Sequence, residues 1–111
     1  MAKIPNIDRA IVDPRKITHY LLDETHRVGG AKARLLIAFG FSPKSPDELI
    51  AALRQHGQSY EATTSPPNQH GVKFVVRGLL QTPDRRSLRF RTVWIIDTGT
   101  DIPRFVSAVP E

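Results

Sequence analysis

Cysteine is absent from the 111-residue sequence. The chain therefore has no disulfide bond and no thiolate metal ligand, and the burial of apolar side chains must stabilise its fold. Long apolar runs are also missing, because no stretch approaches the roughly 20 residues that span a bilayer. Residues 1–8 lack the apolar run of a secretory signal peptide. These absences favour a cytoplasmic protein without membrane contact.

Patterns for metals and cofactors are equally scarce. His19, His56 and His70 show no ligand spacing with carboxylates or with one another. The chain also has no glycine-rich phosphate loop. We therefore expect neither a metal nor a cofactor. The sequence leaves open paired-carboxylate and Ser-His-Asp chemistry, although nothing in it points to them.

Positive charge is what the sequence has in excess. Sixteen Lys and Arg residues face eleven Asp and Glu residues, which gives a formal net charge of +5 and an isoelectric point near 10.1. Such a surface attracts polyanions, nucleic acid above all. The alternative is that the charge only keeps a small protein soluble.

The first half of the chain has helical patterns, and the chain length favours one domain over residues 1–111. Asp13 and Pro14 are an N-cap and a first helical residue. Ser45 and Glu48 form a capping box. The predicted helices span residues 14–23, 31–39 and 46–56, the last two ended by Gly40 and Gly57.

Alternating patterns replace helical ones from residue 58 onward. Four strands are predicted, at residues 59–64, 72–81, 88–97 and 103–109. In the last strand, Phe105, Ser107 and Val109 are predicted on one face, and Arg104, Val106 and Ala108 on the other. The predicted fold class is α+β, with N-terminal helices packed on one face of a four-stranded antiparallel β-meander.

Short motifs along nearly the whole chain carry a family resemblance. They are Ile4-Pro5-Asn6, Asp13-Pro14-Arg15-Lys16, Tyr20-Leu21-Leu22, His26, Gly29-Gly30, Lys32-Ala33-Arg34, Gly40-Phe41, Gly71, Thr82-Pro83-Asp84, Arg91-Thr92-Val93-Trp94-Ile95-Ile96, Gly99 and Pro103-Arg104-Phe105-Val106. With these motifs the chain resembles an uncharacterised bacterial domain family found as small stand-alone proteins and as the C-terminal tips of polymorphic toxins. The resemblance implies a toxin with a cognate partner.

Two departures from the family pattern stand in the C-terminal half. Arg85 occupies the place of the glycine in a Pro-Asp-Gly turn, and Ser107 and Val109 replace a common Thr and Tyr. At the level of the fold, helices followed by a four-stranded meander resemble the superfamily of barnase, EndoU, colicin-type tRNases and RelE-like toxins. That resemblance implies RNA cleavage without a metal, by catalytic residues that vary between families.

Metal-free RNA cleavage needs a base, an acid and cations. His26, Lys32 and Arg34 lie close together around the start of the second helix, where an anion is favoured. We take His26 and Lys32 as catalytic candidates and Arg34 as a phosphate-binding one. The alternative is a loop histidine with two solvated cations.

Cationic residues also alternate with the large apolar residues of the predicted strands, which places them on one face of the sheet. They are Lys73, Arg77, Arg89, Arg91 and Arg104. Arg91 is the third catalytic candidate, and we expect it to meet His26 and Lys32 around one anion, while the other four would bind RNA phosphates. The alternative is a charged face that prevents aggregation. Trp94 is a base-stacking candidate, although its phase favours the core.

Together these observations predict a metal-independent ribonuclease toxin domain. RNA would be its substrate, and an acidic antitoxin or immunity protein would cover its basic face. The alternative hypothesis is a basic binding module without catalysis that holds a protein or nucleic acid.

Overall fold

The computed structural model of the protein describes residues 3–111. Met1 and Ala2, the first two residues of the segment that lacks a signal-peptide pattern, lie outside them. A 3-10 turn at Ile7–Arg9 is followed by the helices α1 (Pro14–Lys16), α2 (Gly30–Ala38) and α3 (Pro46–Ser59), and by the strands β1 (Ala62–Thr64), β2 (Gly71–Gln81), β3 (Ser87–Asp97) and β4 (Arg104–Pro110). No helix within residues 3–111 is long and apolar enough to cross a membrane.

The first helix begins as its sequence predicts. The Asp13 carboxylate accepts a hydrogen bond from the Arg15 backbone N–H at 2.9 Å, which caps α1. After Lys16 the helix widens into a π-helical turn at Ile17–Leu21, which ends short of the predicted Asp23. Ile17 and Leu21 are completely buried, so this turn still contributes its apolar face to the core.

The third helix departs from the sequence prediction at both ends. The Ser45 side chain makes no capping hydrogen bond, so the predicted capping box is wrong. Gly57 does not end the helix, which continues to Ser59 and shortens the predicted first strand to Ala62–Thr64. A Cβ at Gly57 would lie 3.1 Å from Trp94 Nε1, so this glycine lets the helix approach the sheet closely.

The strands form one antiparallel meander in the order β1-β2-β3-β4. The predicted fold class is confirmed: helices precede the sheet, and α3 packs on its inner face. Phe74, Val76, Phe90 and Trp94 point to that face and are buried. Their alternation with exposed residues follows from the two-residue period of a strand.

A bulge at Val106 breaks this alternation in β4. Trp94 pairs with Phe105, whereas the preceding residue, Val93, pairs with Ser107, so Val106 is an extra residue. The bulge shifts the inward phase, and Phe105 and Ala108 are both buried. The predicted single phase for Phe105, Ser107 and Val109 is therefore wrong.

The N-terminal segment covers the outer edge of β4. Ile11 forms a parallel bridge with Arg104, in which Phe105 N–H donates to the Ile11 carbonyl at 2.8 Å. Lys16 Nζ donates to the Val106 carbonyl at 2.7 Å, and Lys32 Nζ to the Ala108 carbonyl at 3.0 Å. These contacts satisfy backbone groups that would otherwise be free to pair with another chain.

Candidate nucleic-acid interface

The outer face of the sheet, opposite α3, carries the cationic residues of the strands. Antiparallel pairing places Lys73, Ile95 and Arg104 in one row and Arg77 beside Arg91 in another. All five sheet cations alternate with inward-facing residues of their strands, as the period predicts: Lys73, Arg77, Arg89, Arg91 and Arg104. The structure therefore presents them on the same side.

Arg77 and Arg91 share an acidic neighbour. Like charges directly opposite on paired strands destabilise a sheet. Here the Glu111 carboxylate accepts a hydrogen bond from Arg77 Nε at 3.2 Å and lies 3.8 Å from Arg91 Nη1. The guanidinium pair thus holds one carboxylate between two strands, and a phosphate oxygen has the same charge and hydrogen-bonding capacity.

Arg104 is oriented by Asp97. Two nitrogens of its guanidinium donate to the two carboxylate oxygens, at 2.8 and 3.1 Å. These side-chain hydrogen bonds lower the pKa of Asp97 and raise the pKa of Arg104, so both groups stay charged. A paired guanidinium keeps further N–H donors for another anion.

A groove of about 510 Å³ opens at this end of the sheet. Its lining combines the exposed cations Lys73 and Arg104 with the apolar Pro66 and Ile95 and with His70. Apolar surface beside a few convergent polar groups is typical of a ligand site. Asp97 also lines the groove and pairs with Arg104, so Lys73 is the cation of this lining that has no carboxylate partner among residues 3–111.

The loop that carries His70 is held by hydrogen bonds at several points. Its N–H donates to Asn68 Oδ1 at 2.8 Å, and its carbonyl accepts from the Thr98 N–H at 3.1 Å. Gly71 follows with φ +138°, and a Cβ there would lie 2.1 Å from the Ile96 carbonyl oxygen. The position requires glycine, which fixes where the loop enters β2.

A second cluster joins His26 and Lys32 through Tyr20. Lys32 Nζ lies 2.5 Å from Tyr20 Oη and 4.5 Å from the ring centroid. The His26 ring packs edge-on against the same tyrosine, with centroids 4.9 Å apart. The structure therefore brings two of the three catalytic candidates to one aromatic ring, whereas Arg91 contacts Glu111 instead.

The hydrogen bonds of His26 define its chemical role. Its Nδ1 accepts from the backbone N–H groups of Val28 and Gly29, each at 3.0 Å. In the neutral ring the proton must then sit on Nε2. In this arrangement Nε2 of His26 offers an N–H donor, while Nδ1 is occupied by its loop contacts. Lys32 likewise has a structural contact, at the Ala108 carbonyl.

Two remaining candidates occupy different environments. Arg34 is exposed, and its Nη1 reaches the Glu24 carbonyl at 3.5 Å. Trp94 is completely buried, and its Nε1 donates to Thr92 Oγ1 at 3.0 Å. The base-stacking hypothesis for Trp94 is therefore wrong, because the core gives a nucleotide no access to the ring.

Sequence reasoning missed His70, Tyr20 and Glu111 as parts of these sites. A signal for His70 was present: it directly precedes a strand whose antiparallel neighbour ends at Asp97, so both belong to one end of the sheet. The contacts of Tyr20 and Glu111 depend on tertiary packing. Across residues 3–111, no three His, Asp or Glu side chains are grouped as a metal site requires.

Residues 3–111 match a protein family described as a domain of unknown function, DUF6883. The chain belongs to the DUF6883 family. This match covers the sheet, the helices and both clusters described above. No curated protein matches the sequence.

One solved structure similar to this DUF6883 chain is described as a contact-dependent growth inhibition toxin–immunity protein complex from Klebsiella pneumoniae 342. The similarity has a TM-score of 0.72 at 14% sequence identity, and it covers 92% of this chain and 100% of the other. At that identity the match shows a shared fold.

Proposed function

We propose that this DUF6883 domain is a toxin that binds RNA on the outer face of its sheet and cleaves it without a metal. The observation that carries the proposal is the row arrangement of Lys73, Arg104, Arg77 and Arg91 on one accessible face. A net charge of +5 adds attraction at longer range. The likeness to a chain of a toxin–immunity protein complex supports a role in such a pair, and the toxin is the member that we propose.

The chemistry would be attack of the ribose 2′-hydroxyl on the adjacent phosphate. The catalytic candidates remain His26, Lys32 and Arg91. His26 has an Nε2–H that can donate to a phosphate oxygen, and the two cations would offset charge on the phosphorane. Flanking phosphates would bind the other cations: Arg34, Lys73, Arg77, Arg89 and Arg104.

We further propose an acidic immunity protein or antitoxin as the partner, with the toxin acting in the cytoplasm. The Glu111 carboxylate between Arg77 and Arg91 provides an intramolecular example of the contact that such a partner would make. An acidic surface on these arginines would exclude RNA by occupying the same guanidinium groups.

The test incubates purified protein with total RNA, with and without EDTA. Cleavage that persists in EDTA and falls by about 100-fold or more in His26→Ala and in Arg91→Ala supports the proposed site. His19→Ala, at an exposed position of the π-helical turn, is the matched control. Intact RNA at every protein concentration would refute the proposed nuclease.

A basic binding module without catalysis is the second candidate. The observation that favours it is Val109, which pairs with Arg91 on the outer face at a position where the family resemblance implies a tyrosine. A valine there offers no proton donor beside the guanidinium. Salt-dependent RNA binding without cleavage would distinguish this module from the nuclease.

A further inference from the structure

The groove beside His70 is not explained by the His26 cluster. We infer that this groove seats the scissile phosphate of RNA, with His70 as the group that accepts the 2′-hydroxyl proton. The inference rests on the proposed nuclease function, and it moves the scissile phosphate from the cluster of His26 and Lys32 to this groove. Lys73 and Arg104 would bind the phosphate, and Ile95 and Pro66 would contact the sugar or base.

The arrangement of charges suits a nucleotide phosphate. Two hydrogen bonds from Arg104 to Asp97 fix the guanidinium in place, so ligand binding does not cost the conformational entropy of ordering this side chain. Lys73 and Arg104 flank Ile95 from the two neighbouring strands, one on each side. An anion placed over Ile95 would therefore lie between two cations that a rigid sheet supports.

His70 suits proton transfer better than His26 does. The backbone of His70 is held at two points: its N–H donates to Asn68 Oδ1, and its carbonyl accepts from the Thr98 N–H. The Gln69 side-chain amide donates to Nε2 of the ring at 3.3 Å. Residue 70 lines the groove and is exposed, and its ring is bound by one surface side chain, whereas the Nδ1 of His26 is bound by two backbone N–H groups.

In the reaction the 2′-oxygen forms a bond to phosphorus and its proton passes to neutral His70. The bond between phosphorus and the 5′-oxygen breaks, and that oxygen takes a proton from water. The hydroxide that remains takes the proton from His70, which returns the ring to its neutral form. The products are a 2′,3′-cyclic phosphate and a free 5′-hydroxyl, with no oxidation or reduction.

The first arm of the experiment measures binding on the intact protein. Backbone amide signals are followed by NMR while inorganic phosphate, and separately a 3′-nucleoside monophosphate, is added. We expect both ligands to shift residues 68–73 and 95–104, and the Lys73→Gln variant to weaken these shifts. Lys44→Gln, at an exposed lysine in the loop that precedes α3, is the matched control. Shifts that map elsewhere would overturn the inference without touching the nuclease proposal.

The second arm measures cleavage of an RNA oligonucleotide. We expect His70→Asn to lower the rate by about 100-fold or more while the nucleotide still binds. His19→Asn should cleave like the unmodified protein, and all variants should keep its melting temperature because these side chains are exposed. Unchanged cleavage by His70→Asn, together with loss in His26→Ala, would overturn the role of His70. Absence of cleavage in the unmodified protein would instead overturn the proposed function.

Discussion

A buried chain of hydrogen bonds links α3 to the inner face of the sheet through Thr92. Thr92 Oγ1 accepts from Trp94 Nε1 at 3.0 Å and lies 2.9 Å from His56 Nδ1. His56 Nε2 lies within 3.1 Å of the Gly78 and Phe90 carbonyls, so it must carry the ring proton. The Thr92 hydroxyl therefore donates to Nδ1, and one oxygen serves two neighbours.

Thr92→Val removes that oxygen and leaves the shape of the side chain nearly unchanged. Thr92 and Trp94 are completely buried and His56 is 2% exposed, so water cannot replace the lost partner. Each buried polar group left without a hydrogen bond costs roughly 1–3 kcal/mol. With two such groups we expect a loss of about 2–6 kcal/mol, a large part of the roughly 5–15 kcal/mol that stabilises a domain.

The assay is urea denaturation, with the free energy of unfolding extrapolated to water. Thr98→Val is the matched control, because Thr98 is exposed and its Oγ1 donates to the Gln69 carbonyl at 3.1 Å. We expect this control to cost less than about 1 kcal/mol. In a Trp94→Phe background, Thr92→Val should cost about 1–3 kcal/mol less, since one of the two orphaned groups is gone. Equal costs for the two valine variants, or an unchanged cost in the phenylalanine background, would refute this account.

Four further changes test other parts of the fold. Burial lowers the pKa of His56, so as the pH falls below about 6.5 the unfolded chain binds a proton before the folded chain does. The free energy of unfolding should therefore be smaller at pH 5.5 than at pH 7.5, as urea denaturation at the two pH values would show. Equal free energies at both pH values would contradict this prediction. Asp13→Ala should lower the melting temperature more than Ser45→Ala, because only Asp13 makes a cap hydrogen bond among these two helix starts. Arg85→Gly should be neutral or stabilise by up to about 1 kcal/mol in urea, since Arg85 has φ +67°. Lys32→Met should lower the melting temperature even if it also impairs RNA cleavage, because Lys32 binds the Ala108 carbonyl; an unchanged melting temperature would exclude this structural role.

The periods of the sequence predicted the element order and the sheet phases because both depend on residues close in the chain. Leu49 and Leu53 of α3, four residues apart, are both buried, and Phe74 and Val76 of β2 alternate as a half-buried strand requires. The bulge at Val106 could not be foreseen in this way. It depends on how β4 pairs with β3, and no local pattern distinguishes an extra residue from a regular one.

The turn at Arg85 shows how a departure from a family pattern can still preserve local geometry. The family resemblance implies a glycine at this position, and the structure places Arg85 in the left-handed region at φ +67°. Asp84 Oδ1 accepts from the Arg86 N–H at 3.0 Å, and its carboxylate is paired with the Arg86 guanidinium. The side-chain hydrogen bond from Arg86 lowers the pKa of Asp84 to about 2. These contacts support the turn that glycine would otherwise favour by its backbone freedom alone.

Some candidate residues meet because they are close in the sequence, and others because the sheet topology brings them together. His26 and Lys32 are six residues apart, and both contact Tyr20, as their closeness in the chain suggested. His70 and Arg104 are 34 residues apart and line one groove because β2 and β4 both pair antiparallel with β3 and therefore begin at the same end of the sheet. Sequence reasoning on candidate residues therefore favoured a histidine beside a helix, while the topology supplies a histidine beside the cationic sheet face. The cleavage rates of His26→Ala and His70→Asn decide which of the two histidines lies at the scissile phosphate.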